Sequence, residues 1–238
     1  MNQKHREKLQ FINAQEHWKE KGIALVIAHP DDESLFWSVI AIWRQADIPA
    51  FVILMTLGQK GNLAGVKKSQ LTDELVAKER QKEFINAMSA LGMSYAILPF
   101  VDHQLRYVSP EEMDRGVLRI LRTHSFAAVF SFSPDILLED FDHVDHNVTG
   151  QVTKVAAGAV NVSRFMPDLQ PVPDKRPELW LLTDDHNRAT HTVPLTPEQE
   201  KARLDYLHFY YPSQFPTEDT AQHAEIFAKL PHYYAKVR

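Results

Sequence analysis

The sequence predicts an α/β fold, a mainly parallel sheet with helices on both faces. Three observations lead there. Short, continuous apolar runs recur along the 238 residues. Stretches with apolar residues at helical spacing separate them. Each run ends in a glycine or a polar cluster, as strands buried on both faces do. This alternation describes a Rossmann-like sheet, in which ligands sit beyond the carboxyl ends of the strands.

The elements follow in order. Residues 5–20 are polar and helix-prone, with Leu9, Phe11, Ile12 and Trp18 as apolar contacts. The run IALVIA (23–28) is the first buried strand, and Phe36, Val39, Ile40 and Trp43 line a helix over Ser34–Gln45. AFVILMT (50–56) is the second strand; the glycines of TLGQKG (56–61) mark the loop after it. A helix over Thr72–Leu91 presents Phe84, Ile85, Met88 and Leu91 on one side and stops at Gly92. YAILPF (95–100) is the third strand. Ser109-Pro110 opens a helix lined by Met113, Val117, Ile120 and Leu121.

FAAVFSF (126–132) is the fourth strand, and a helix from about His146 carries Val148, Val152, Val155, Ala156, Ala159 and Val160. MPDLQPVPDKRP (166–177) reads as a long surface loop and ELWLLT (178–183) as the fifth strand. Thr196-Pro197-Glu198-Gln199 has the form of a capping box. No internal repeat interrupts this order. The expectation is one α/β domain over 1–238, with an N-terminal helix (1–21), a core (22–214) and a C-terminal extension (215–238).

Composition narrows the function. At 44% hydrophobic the chain can bury a substantial core. A net charge of -5 argues against nucleic acid as a partner, since phosphate contacts need a basic surface. With no cysteine, disulfides and thiolate metal ligands are excluded. The first residues lack the apolar core of a signal peptide, and no stretch approaches the ~20 apolar residues of a membrane span. The expectation is a soluble cytoplasmic protein acting on a small molecule, with homo-oligomerisation left open.

The chemistry gathers in two clusters. His29-Pro30-Asp31-Asp32-Glu33 stands where the first strand stops. Consecutive carboxylates repel, so a cation or good donors must offset them. His29 and Asp32 are ordinary zinc ligands. In Asp142-His143-Val144-Asp145-His146, His143 and His146 are three apart and share one side of a helical turn. Either completes a set of two histidines and one carboxylate with open positions, suited to Zn(II) and also to Fe(II). The sheet order puts both clusters on one edge.

AHPDDE (28–33) together with HVDH (143–146) resembles the zinc-dependent N-acetylglucosaminyl de-N-acetylases, the PIG-L and LmbE-like deacetylases. These act on N-acetylglucosamine conjugates such as glycosylphosphatidylinositol, mycothiol and bacillithiol precursors. TLGQKG (56–61), RQKEFINAMSALG (80–92) and KARLDYLHFYYPSQ (201–214) extend the likeness over about 22–214. The resemblance implies that His29, Asp32 and His146 bind Zn(2+), or Fe(2+) or another divalent ion. It implies Asp31 as general base, His143 at the carbonyl oxygen or the leaving amine, Asp145 orienting a histidine, and Arg80 contacting the sugar. The chemistry agrees: zinc lowers the pKa of its water to ~7 and polarises an amide carbonyl. Side chains of adjacent residues diverge, which frees Asp31 to accept a proton.

The chain departs from the pattern at Phe141, where some relatives carry a tyrosine, at Gln59, where many carry an acid, and at Asp142, a frequent glycine. Rival readings are a metal-dependent hydrolase of another amide or ester, and a metal- or carbohydrate-binding protein without turnover. Glu33 is expected to cap backbone donors at the helix start. His103 either faces the site or is solvated. His186 and His191 are expected in a solvated loop, and His124 and His208 as structural residues. Tyr210, Tyr211 and Phe215 either stack on a sugar or pack in the core.

Overall fold

The computed structural model describes residues 9–136, 144–228 and 232–237. Phe141, Asp142 and His143 lie outside the described residues.

Eight strands form one sheet: β1 (Gln10–Phe11), β2 (Ile23–Ile27), β3 (Ala50–Thr56), β4 (Ser94–Phe100), β5 (Ala128–Phe132), β6 (Glu178–Thr183), β7 (His191–Thr192) and β8 (Tyr233–Val237). Their order is β1-β7-β8-β6-β5-β2-β3-β4. Strands β4, β3, β2, β5 and β6 run parallel to their neighbours, while β8 runs antiparallel to both β6 and β7. The described helices are α1 (Glu16–Lys21), α2 (Trp37–Gln45), α3 (Asp73–Leu91), α4 (Pro110–His124), α5 (Val144–Ala159), α6 (Pro197–Tyr210) and α7 (Thr220–Ala228).

Side chains along β2 alternate between two cores. Ile23, Leu25 and Ile27 join Trp18, Trp43, Phe84, Tyr206 and Phe227 from α1, α2, α3, α6 and α7. Ala24 and Val26 join Val117, Leu121, Val152 and Ala156 from α4 and α5. Helices therefore cover both faces, as the sequence predicts. The chain leaves β2 toward β3 and β4 on one side and returns through β5 and β6 on the other. The crevice of such a sheet opens at that reversal, beyond the ends of β2 and β5.

Several boundaries match the sequence reading. Thr72 caps α3, and Gly92 ends it with a φ of 68°. Thr196 and Gln199 form the capping box of α6. The long loop after α5 has no regular element; Arg122 is buried and donates to the carbonyls of Met166 and Leu169, each at 2.8 Å.

Others differ. The helix expected from Ser34 begins as a 3-10 turn over Asp32–Phe36 and becomes α-helical at Trp37. The Asp32 carboxylate pulls this turn tight by accepting from the backbone of Ala28 and His29. The helix-prone stretch 5–20 contains β1 and only then α1; Asn13 and Gln15 bond local carbonyls, which competes with helix. His191 lies in β7 with its ring 4.7 Å from that of Trp180, and the His186 ring is 4.6 Å from Tyr233. His191 is thus a strand residue, while His186 lies in the turn before β7, half-buried against Tyr233 of β8. His124 is structural as expected, stacked on Phe126. No described helix is long and apolar enough to cross a membrane.

Candidate metal centre

The ends of β2, β3 and β4 and the first turn of α5 meet at one place. Beyond β2, the backbone of His29 and Ala28 donates to Asp32 Oδ2 at 2.8 and 3.1 Å. That clamp aims the other oxygen, Oδ1, at His146 Nε2, 3.0 Å away. His29 Nδ1 stands 3.5 Å from Asp32 Oδ2. His29, Asp32 and His146 are all buried, and one ligand atom from each falls within 4.8 Å of the others. Tetrahedral ligands about 2.0–2.1 Å from a zinc ion stand about 3.3 Å apart, so this donor set fits a divalent ion.

The electrostatics also favour a cation here. Burial alone pulls the His29 imidazole down. The carboxylates of Asp102, Asp145 and Asp32 around it outweigh this and hold the group well above its ordinary value. Burial would push the Asp32 carboxyl up, but His146 and His29 win and hold it far below the usual range.

Asp31 is placed differently from its neighbour. Its φ of 87° puts it in the left-handed region, which turns its side chain away from Asp32. Arg80 holds it there: Nη2 donates to Asp31 Oδ2 and to the Pro30 carbonyl at 2.7 Å each, and Nη1 to the Gly58 carbonyl at 3.0 Å. Burial pushes the Asp31 carboxyl up to about 7 despite the guanidinium beside it. A carboxylate tuned near neutrality suits general-base work. Arg80, implied by resemblance to contact a sugar, is thus engaged with Asp31 and is only 5% exposed.

Asp145, on the first turn of α5, accepts from the backbone of His103 at 2.7 Å. His103 itself is exposed at the rim. Asp102, which follows β4, lies nearer the centre: its Oδ1 is 3.1 Å from His29 Nε2. The sequence alone did not single out Asp102. Its position just beyond the third strand, on the edge that carries the other clusters, was the available signal.

Glu33 is fully buried, and its main partner is Tyr206, whose hydroxyl donates at 2.6 Å; its own backbone amide is a lesser one. Burial pushes this carboxyl up to about 7. Tyr211 is wholly buried beside it, so core packing, not sugar stacking, describes Tyr211. Glu83 binds the backbone and hydroxyl of Ser213 at 2.9 and 2.6 Å, which ties the segment after α6 to α3.

Comparison with known proteins gives the family and the fold. The chain is 25% identical over 177 residues to a probable N-acetyl-alpha-D-glucosaminyl L-malate deacetylase 2 of Bacillus anthracis, covering 74% of this chain and 71% of that one. It is 25% identical over 197 residues to a 1D-myo-inositol 2-acetamido-2-deoxy-alpha-D-glucopyranoside deacetylase of Nocardia farcinica; the match spans 73% of this chain and 61% of the relative. Among solved structures, the N,N'-diacetylchitobiose deacetylase of Pyrococcus horikoshii superposes with a TM-score of 0.74 at 21% identity, over 95% of this chain and 86% of that one. The 4-carboxy-2-hydroxymuconate hydratase GalB of Pseudomonas putida shares the fold with a TM-score of 0.61 at 17% identity, over 90% and 94%. The family model described as PIG-L, GlcNAc-PI de-N-acetylase, matches residues 24–157, which is more than half the chain and includes every candidate ligand. The chain therefore belongs to the PIG-L family of de-N-acetylases.

Proposed function

We propose that the protein is a metal-dependent hydrolase that removes the acetyl group from an N-acetylglucosamine-type amino sugar carrying a small conjugate. The observation that carries this reading is the approach of His29, Asp32 and His146 to within 4.8 Å beside a half-buried Asp31 held by Arg80. The names of the relatives support the substrate class: one acts on a malate conjugate, another on an inositol conjugate.

His29, Asp32 and His146 would hold the ion, with Zn(2+) as the choice their nitrogen and oxygen donors favour and Fe(2+) as the alternative. Bound there, the ion supplies Lewis acidity to the acetyl carbonyl and acidifies water. Asp31 takes a proton from the attacking water and passes it on to the leaving amine, so that water and amide become acetate and free amine. Arg80 keeps Asp31 in its left-handed turn throughout. His143, by its place in the HVDH motif, steadies the developing oxyanion or protonates the amine. Asp145 anchors the rim loop through the His103 amide.

The test is direct. Zinc-loaded protein incubated with N-acetylglucosamine conjugates releases acetate and a new primary amine in equal amounts. Asp31→Asn keeps the bound metal and loses activity by about a hundredfold or more, the scale of a general base. Parent-like turnover by that variant removes Asp31 from the role. Metal and sugar binding without any released acetate favours a binding protein instead.

A further inference from the structure

The two nitrogens of His29 face different partners. Nδ1 looks toward Asp32 Oδ2 at 3.5 Å, on the side where His146 also points. Nε2 is on the other side of the ring, 3.1 Å from Asp102 Oδ1, the approach of an ion pair. We propose that Asp102 is the positioning residue that fixes the tautomer and aim of His29 as a metal ligand, and that the loop after β3 fixes Asp102 in turn. This rests on the metal-dependent reading above.

A carboxylate on Nε2–H leaves the lone pair of Nδ1 free for an ion and makes the ring a stronger donor. Asp102 is built for this. It is 3% exposed, and its second oxygen accepts from the Lys60 backbone at 3.0 Å. Its own amide donates to Gln59 Oε1 at 3.2 Å. Asp102 is thus held at one carboxylate oxygen and at its backbone amide by a loop that begins at Gly58, where Arg80 binds. One short segment, 58–60, supports both the arginine that holds Asp31 and the aspartate that holds His29.

Gln59 is neutral, and the geometry gives that a use. Its amide oxygen accepts the Asp102 N–H without adding a further negative charge beside Asp102 and Asp145. An acid at this position would supply the same acceptor and raise the repulsion between carboxylates.

Asp145, the residue that the resemblance implies for orienting a histidine, is the weaker partner of His29. Its Oδ2 is 3.7 Å from Nε2, long for a hydrogen bond, and the same oxygen accepts from the His103 amide at 2.7 Å. Asp102 is therefore the nearer carboxylate to His29 Nε2, while the same Asp145 oxygen also accepts the His103 amide.

The experiment measures metal affinity, not turnover. The parent, Asp102→Asn, Asp102→Ala, Asp145→Asn and Asp31→Asn are stripped of metal, and zinc is titrated in competition with a chromophoric chelator. The visible absorption of each Co(II)-loaded protein reports the ligand field. Asp102→Asn keeps a neutral acceptor and weakens zinc about tenfold; Asp102→Ala keeps none and weakens it about a hundredfold, the range expected for such partners. Both shift the cobalt spectrum. Asp145→Asn changes affinity less than threefold, and Asp31→Asn leaves it unchanged. Should the Asp102 variants not fold, Gln59→Ala at the half-buried loop still weakens zinc severalfold. Parent-like affinity and spectrum in the Asp102 variants, or in Gln59→Ala where it stands in for them, overturn the assignment alone. A parent that binds no divalent ion overturns both the assignment and the metal reading. Metal affinity falling more in Asp145→Asn than in Asp102→Asn returns the orienting role to Asp145.

Discussion

Gly58 has a φ of 61°, and a Cβ built on it would lie 2.0 Å from Arg80 Nη1 and 2.6 Å from its Cζ. The guanidinium occupies that space because it bonds the Gly58 carbonyl beneath it while reaching Asp31. Gly58→Ala therefore forces Arg80 aside and releases Asp31 from the bond that steadies its left-handed backbone. The left-handed alanine adds a stability loss of about 1–2 kcal/mol. On the proposed function, deacetylation should fall at least tenfold while bound metal holds, because His29, Asp32 and His146 are not touched. Steady-state kinetics beside metal analysis decides it, and an active alanine variant would break the chain from Gly58 through Arg80 to Asp31. In the sequence Gly58 was legible as a loop marker, since glycine tolerates positive φ. Its partnership with Arg80 was not, because only the packing of α3 against the ends of β2 and β3 brings the two together.

Helix α5 delivers Asp145 and His146 to the site, and its seating depends on how closely it lies against β5. Gly150 sets that distance: a Cβ there would stand 2.4 Å from the Phe132 carbonyl oxygen and 3.1 Å from Pro134 N. Backbone atoms cannot rotate away, so Gly150→Ala must lift the helix. Overpacking of this kind costs about 1–3 kcal/mol, which urea unfolding of metal-free protein would read. His146, one turn earlier with its ring 4.6 Å from that of Phe132, moves with the helix. Zinc affinity should fall together with stability; a variant that loses neither would show that α5 has room to spare. Long helices and five- to seven-residue buried strands were readable because their patterns are local. Strands β1 and β7 have two residues each, too few for any periodicity, and β8 is defined by partners more than forty residues away. Asp102 escaped notice for the same reason: its meaning lies in His29, reached across the intervening β3.

At the scale of the whole molecule, the C-terminal strand closes the sheet. β8 stands between β6 and β7, so residues 233–237 hold β7 and β1 to the parallel core. His232 lies at the entry to that strand, and its carbonyl accepts from the Val193 amide at 3.0 Å and the Thr192 hydroxyl at 3.1 Å. Burial, helped by the Arg203 cation, pulls its imidazole down to about 4 from 6.5. Glu200 approaches His232 Nε2 at 3.4 Å, but Arg203 also engages that carboxylate, which blunts its pull. The folded-state value is depressed. Below about pH 6.5 the unfolded chain takes up a proton that the folded chain refuses until about pH 4. Stability is therefore fully present above that window and is lost as pH falls through it, by about 3 kcal/mol at most from this group. His232→Gln removes the titration and leaves the carboxylates of the site as they are. Denaturant unfolding of metal-free protein at pH 7.5, 5.5 and 4.5 should show the parent losing more stability than the variant at each acid step. Parallel losses in the two proteins would mean that His232 titrates normally, and that the junction of β8 with α6 is open to water.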